Sequence, residues 1–209
     1  MENFEFVSPT HFVFGKDAEL QVGTKLAERG ARKVLLHFGG KSALASGLID
    51  RVKESLEAHG IEHVTLGGVR PNPEITLVRE GVALCKQHEV DWVLAVGGGS
   101  VVDSAKAIAV GARYEGDVWD FFESKRPTND VLPIAVVLTI PAAGSEASKN
   151  TVISNDELGR KTGYANNAQR PKFAFMNPEL TFTLPPFQTA AGLTDMFCHL
   201  LERFFDDVG

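Results

Sequence analysis

The chain has 209 residues, long enough for one substantial hydrophobic core or for one domain and part of another. Hydrophobic residues make up 44% and charged residues 23%, the proportions of an ordinary soluble globular protein. A formal charge of −6 with no Lys/Arg-rich run argues against a nucleic-acid partner, and no apolar run approaches the roughly 20 residues that cross a bilayer.

Met1-Glu2-Asn3-Phe4-Glu5 carries neither the basic region nor the apolar stretch of a signal peptide. A helical pattern covers Ala18–Arg29, and the apolar run Lys33–His37 reads as a strand. Helix Leu48–His59, strand His63–Leu66, helix Ile75–His88, strand Trp92–Val96, helix Val101–Val110 and strand Ile134–Leu138 follow. Strand-like runs alternating with helical patterns predict βαβ units and a largely parallel sheet. Gly30, Gly60 and His88 fall near three helix ends, where glycine is the expected terminator. Pro71-Asn72-Pro73 makes a stiff loop, and Glu74 just beyond it suits the dipole of the next helix. After Leu138 the alternation stops. Small residues form a loop from Pro141 to Ser148, followed by short strands at Thr151–Ser154, Gly159–Tyr164 and Lys172–Met176.

Leu184-Pro185-Pro186 is the predicted boundary, dividing residues 1–185 from 186–209, because two prolines stop one element and favour a helix start just beyond. The helical pattern from Phe187 runs to the end at Gly209. So short a unit builds no core of its own, so the chain is expected to be cut short or to need a partner. Cys85 and Cys198 lie on helices far apart in sequence and are expected to be reduced thiols in a cytoplasm.

Three places carry chemistry. The first is the run from Trp92–Val96 into Gly97-Gly98-Gly99-Ser100 at the mouth of a helix. Glycines let a ligand approach the backbone, and the first helical N–H groups point at an anion. It is not the G-x-G-x-x-G fingerprint, and a plain tight turn would look the same. Ser100 serves either a phosphate or the helix as N-cap. Asp103 and Lys106 form a surface pair, or else Asp103 faces the cofactor.

The second place is Phe38-Gly39-Gly40-Lys41-Ser42. Dinucleotide folds keep an acidic residue here to grip the ribose hydroxyls, and that acid repels a 2′-phosphate. Glycines, a lysine and a serine favour NADP(H), with NAD also possible; a solvated loop is the bland alternative. The third place is Asp195-x-x-x-His199, whose i, i+4 spacing puts a carboxylate and an imidazole on one helical face, suited to Fe²⁺ or Zn²⁺. The same spacing suits an Asp–His hydrogen bond or a solvated face.

In order along the chain stand Phe12-Val13-Phe14-Gly15, Phe38-Gly39-Gly40-Lys41-Ser42, Arg70-Pro71-Asn72-Pro73, Gly97 to Lys106, Leu138 to Glu146, Asn177-Pro178, Leu184-Pro185-Pro186 and Gly192 to Glu202. Together they resemble the iron-containing (group III) alcohol dehydrogenases, specifically their butanol dehydrogenase-like branch, over the whole chain. The resemblance implies an α/β fold: a Rossmann-like parallel sheet with flanking helices, followed by the first helix of an all-helical C-terminal domain. Residues 1–185 would then bind the dinucleotide, and 186–209 would begin a helical metal-binding domain. Gly97, Gly98, Gly99 and Ser100 would hold the pyrophosphate, and Gly39, Gly40 and Ser42 would surround the adenosine ribose and its 2′-phosphate. Thr139 and Ser148 would lie along the cofactor, Lys161 would reach it from a hairpin, and Asp195 and His199 would be the first two of four metal ligands.

The implied reaction is hydride transfer between the nicotinamide and a small alcohol or aldehyde, with the metal acting as Lewis acid on the substrate oxygen. Family members are much longer, and their other two ligands are histidines on the helical domain. This chain ends ten residues after His199, so the expectation is a cofactor half with little activity alone. Leu193, Met196, Phe197, Leu200, Phe204 and Phe205 are expected to be exposed, favouring a homodimer or pairing with a helical-domain fragment. Two other readings stand beside this one. One is a zinc- and NAD-dependent glycerol dehydrogenase or dehydroquinate synthase-like enzyme, which the absent ribose acid opposes. The other is a non-catalytic nucleotide-binding module.

Overall fold

Strand β1 (His11–Phe14) opens the sheet, and a 3-10 turn at Ala18–Gln21 leads into helix α1 (Val22–Ala27) in a computed structural model that describes residue 3 and residues 7–206. The rest of the segment Met1–Glu5, the residues that close the chain at Gly209 and the Lys41 side chain lie outside the described residues. Next come β2 (Lys33–Phe38), α2 (Lys41–Ala45), α3 (Leu48–Glu57), β3 (Glu62–Leu66) and α4 (Ile75–Gln87). The chain continues through β4 (Trp92–Gly97), α5 (Gly99–Gly111), α6 (Trp119–Ser124) and β5 (Ile134–Leu138). It ends with the antiparallel hairpin β6 (Asn150–Asn155) and β7 (Arg160–Ala165), strand β8 (Phe173–Met176) and helix α7 (Pro186–Phe205).

Six strands form one sheet in the order β1-β8-β5-β4-β2-β3, parallel at every pairing. The apolar runs of β2, β4 and β5 are buried on both faces, as central strands of a parallel sheet must be. Period-2 alternation splits them. Val34, Leu36, Leu94 and Val96 join α1 and α3 on one side, while Leu35, Val93, Ala95 and Val136 join α4, α5 and α6 on the other. Ala105, Ala107, Ile108 and Ala109 are buried, as their small size and placement predict, because α5 lies under both α4 and the hairpin.

The structure departs from the sequence reading in identifiable ways. β1 is a strand although His11, Phe12 and Phe14 are exposed, because an edge strand needs only one partner, and β8 supplies it. The segment read as a single helix at Ala18–Arg29 is a 3-10 turn followed by six residues of α-helix. Helix α2 follows directly behind Gly39 and Gly40, where the sequence reading places no helix, and α5 begins two residues before Val101. At the end of α4 the left-handed position is taken by Glu89 (φ 53°), where α1 and α3 use Gly30 and Gly60. All three ends close alike, with Ala31, Ile61 and Val90 donating backward to Leu26, Leu56 and Cys85. No described helix is long and apolar enough to cross a membrane.

Candidate active site

Connections out of β2 and β4 leave in opposite directions, β2 toward β3 and β4 toward β5, so the two neighbours flank a topological switch point. Open α/β sheets bind ligands outside the carboxyl ends of strands at such a point, and both glycine turns lie there.

Behind β4, Gly97 is buried and its carbonyl accepts from the Thr139 N–H at 3.1 Å. A Cβ on Gly97 would stand 2.5 Å from Val101 Cγ2, so this glycine is demanded by packing. Gly98 caps α5 with an extended backbone, and its carbonyl accepts from Val101 and Val102. Around Gly99 the space is open, and among the described residues no backbone acceptor takes the N–H of Gly99 or Ser100. Two unpartnered donors at the positive end of a 13-residue helix make an anion seat.

A cavity of about 450 Å³ lies over this seat, lined by Gly40, Ser42, Arg70, Gly98, Gly99, Ser100, Leu138, Ile140, Gly144, Ser145 and Gln188 among others. A second, of about 400 Å³, continues past Thr139, Arg51, Glu179 and Leu184. They share Ser42, Ile140 and Gln188, which makes them one cleft from the head of α5 to the head of α7. On the β2 side, Gly39 O accepts from Gly68 at 2.9 Å, Gly40 precedes α2, and Ser42 is exposed in its first turn. No carboxylate occurs between Gly39 and Ser46.

Asp103 and Lys106 are no surface pair. Lys106 is fully buried and donates to Ser145 Oγ at 3.0 Å, Ser148 Oγ at 3.2 Å and the Asn150 carbonyl at 2.8 Å. Asp103 accepts from Ser145 Oγ at 2.6 Å and from the Val152 N–H at 3.0 Å, so both its oxygens serve the loop and hairpin. Burial raises the Asp103 carboxyl and lowers Lys106 to about 8, each partly offset by the other's charge. Ser148 stands in this network, off the lining of the cleft. Lys161 is exposed and donates to Asn72 Oδ1 at 2.8 Å, joining the hairpin to the proline loop.

His37 escaped the sequence reading. Its Nδ1 lies 2.9 Å from the Leu66 carbonyl, which only accepts, so Nδ1 carries the proton and Nε2 accepts from Ser104 at 2.8 Å. Burial lowers its pKa to about 4. The available signal was a lone polar residue inside the apolar run of strand β2.

Asp195 and His199 share one face of α7, with Oδ1 and Nε2 3.8 Å apart and both half exposed. Glu202 lies 3.5 Å from His199 on its other side. Carboxylate plus imidazole is a donor set that suits Fe²⁺ or Zn²⁺, but no cluster of three metal-binding groups occurs among the described residues. None of α7 is buried: Phe187, Leu193, Phe197, Leu200, Phe204 and Phe205 are exposed, whereas Met196 is only partly so.

The family model for iron-containing alcohol dehydrogenase matches residues 9–178. The chain is 43% identical over 208 residues to the probable NADH-dependent butanol dehydrogenase 2 of Bacillus subtilis, covering 100% of this chain and 53% of that protein. With the NADPH-dependent aldehyde reductase YqhD of Escherichia coli it shares 35% over 207 residues, covering 98% and 52%. Among solved structures, NADH-dependent butanol dehydrogenase A of Thermotoga maritima superposes with a TM-score of 0.95 at 47% identity, over 99% of this chain and 52% of that one. The chain thus spans about half the length of the curated relatives it matches.

Proposed function

The chain belongs to the iron-containing alcohol dehydrogenase family, and on that premise we propose that its α/β part is the cofactor half of an NADP(H)-preferring, metal-dependent alcohol dehydrogenase or aldehyde reductase. The observation that carries the reading is the cleft at the β2/β4 switch point, with the open N–H groups of Gly99 and Ser100 at its floor. In this reading Gly97, Gly98, Gly99 and Ser100 hold the pyrophosphate, and Gly39, Gly40 and Ser42 take the adenosine ribose. Thr139 and Lys161 face the cofactor. Ser148 and Asp103 act on it through the loop they hold. Residues 186–209 begin a separate helical domain, with Asp195 and His199 as metal ligands. A divalent ion bound there supplies Lewis-acid polarisation of an alcohol or aldehyde oxygen, while the nicotinamide carries the hydride.

Preference for NADP(H) rests on the glycines and serine that stand where a ribose-gripping acid would. The E. coli relative named as NADPH-dependent agrees with it, and the butanol dehydrogenases named as NADH-dependent favour NADH as the second reading. Fluorescence titration of the chain with both nucleotides decides. NADPH is expected to bind about tenfold more tightly, a difference of about 1.4 kcal/mol, and Ser42→Asp is expected to reverse the order. Equal or tighter binding of NADH defeats the preference.

The free thiols of Cys85 and Cys198 agree with a cytoplasmic setting. The apolar face of α7 points to a helical partner, either a second copy or a helical-domain segment.

A further inference from the structure

The loop from Pro141 to Ser148 walls the cleft at Gly144, Ser145 and Glu146, yet it has no helix or strand of its own. Its order comes from beneath, where the three N–H groups of the Lys106 ammonium match Ser145 Oγ, Ser148 Oγ and the Asn150 carbonyl one for one. Ser145 in turn donates to Asp103, whose other oxygen holds the first half of strand β6 by accepting from the Val152 N–H. Taking an ammonium wholly out of water is costly, and a carboxylate reached only through a serine offsets part of it. A clamp alone needs no charge. Apolar side chains of similar volume often replace buried ion pairs without loss of stability. The position is telling, because Lys106 sits on the same helix whose head faces the anion seat.

We propose that Lys106 is a positioning residue for the dinucleotide: its ammonium fixes the cleft wall and the Lys161-bearing hairpin in one arrangement, and its charge beneath the cleft favours an anionic cofactor. The proposal rests on the dinucleotide reading above. Charged neighbours are few: Asp103 and Glu146 favour the proton, Arg170 opposes it, and Lys161 acts on Asp103. Since burial lowers Lys106 to about 8, its proton is partly lost just above neutral pH. A bound pyrophosphate favours that proton, so by linkage affinity falls as pH rises through this range.

The test is the NADPH dissociation constant, read from nucleotide fluorescence between about pH 6.5 and 9.5, with thermal melts as a check on folding. The wild-type chain is expected to lose about tenfold in affinity, the equivalent of a one-unit rise in Lys106 on binding. Lys106→Arg, charged throughout, keeps its affinity without the step; Lys106→Met binds weakly at every pH. Wild-type affinity and pH profile in a folded Lys106→Met chain would overturn the proposal and leave the dinucleotide reading intact. If that variant fails to fold, a flat wild-type profile, or the same step in Lys106→Arg, overturns it equally. A wild-type chain that binds neither NADPH nor NADH removes both readings.

Discussion

His37 ends up with no contact with solvent, between the Leu66 carbonyl and Ser104, and it therefore titrates near 4 where a free histidine titrates near 6.5. The unfolded chain takes up a proton that the folded chain refuses over that interval. Stability from this group is full above pH 6.5 and is lost as pH falls toward 4, by about 3 kcal/mol. Urea melts at a series of pH values should show this acid limb, and His37→Gln, which bonds without titrating, should flatten it. Gly97 and Gly99 make a second contrast at this scale. Gly97→Ala drives a Cβ to 2.5 Å from Val101 Cγ2 and 2.9 Å from its Cβ, so about 1–3 kcal/mol of stability should be lost. Gly99→Val fills space that is open in the protein and that the proposed dinucleotide phosphate would need. Its melt should be unchanged while NADPH affinity falls by tenfold or more, about 1.4 kcal/mol or beyond.

Three helices close with the same backward hydrogen bond, but only α4 does so on a non-glycine residue. Holding Glu89 at φ 53° costs about 1 kcal/mol that Gly30 and Gly60 avoid. Glu89→Gly should raise stability by about 0.5–1 kcal/mol in a chemical melt, and Gly60→Ala should lower it by a similar amount. Elements with strong periodicity were legible from the residues: β2, β4 and β5 as buried apolar runs, α4 and α5 as helices. Thr151–Ser154 and Gly159–Tyr164 were legible as short strands, and their pairing as a hairpin came only with the resemblance. β1 was not, because it exposes Phe12 and Phe14 and owes its state to β8, a partner remote in sequence. In the candidate site the glycine turns could be read, since each stands in the residues as glycines directly behind an apolar strand run. The burial of Lys106 could not: i, i+3 spacing from Asp103 looks the same on a wet helix as under a hairpin, and only the packing of β6 on α5 decides.

α7 stands apart from the core, with Phe204 79% and Phe187 77% exposed and Asp195 and His199 offering a metal two donors from one turn. Water would fill the other positions, so zinc titration of the chain should show weak binding, and NADPH-dependent reduction of butanal with added Fe²⁺ should be slow or absent. Tight stoichiometric metal on this chain would contradict that. Phe197→Ser together with Phe204→Ser should lower self-association in sedimentation velocity, leaving NADPH affinity unchanged, because neither residue lines the cleft. The pairing of β1 with β8 has its own consequence. His11 lies beside Phe173, and Thr10 donates to the carbonyl of Pro171 across 161 positions of chain. During synthesis the first strand leaves the ribosome early and has no seat until β8 follows, since β8 lies between β1 and β5. The sheet can assemble from β2 through β5 beforehand, but the opening strand must wait with its backbone N–H and C=O groups unpaired. Ending translation just short of Phe173 would therefore remove two strands from the sheet, and pulse proteolysis of stalled nascent chains should find residues 11–14 cleavable until β8 has cleared the exit tunnel.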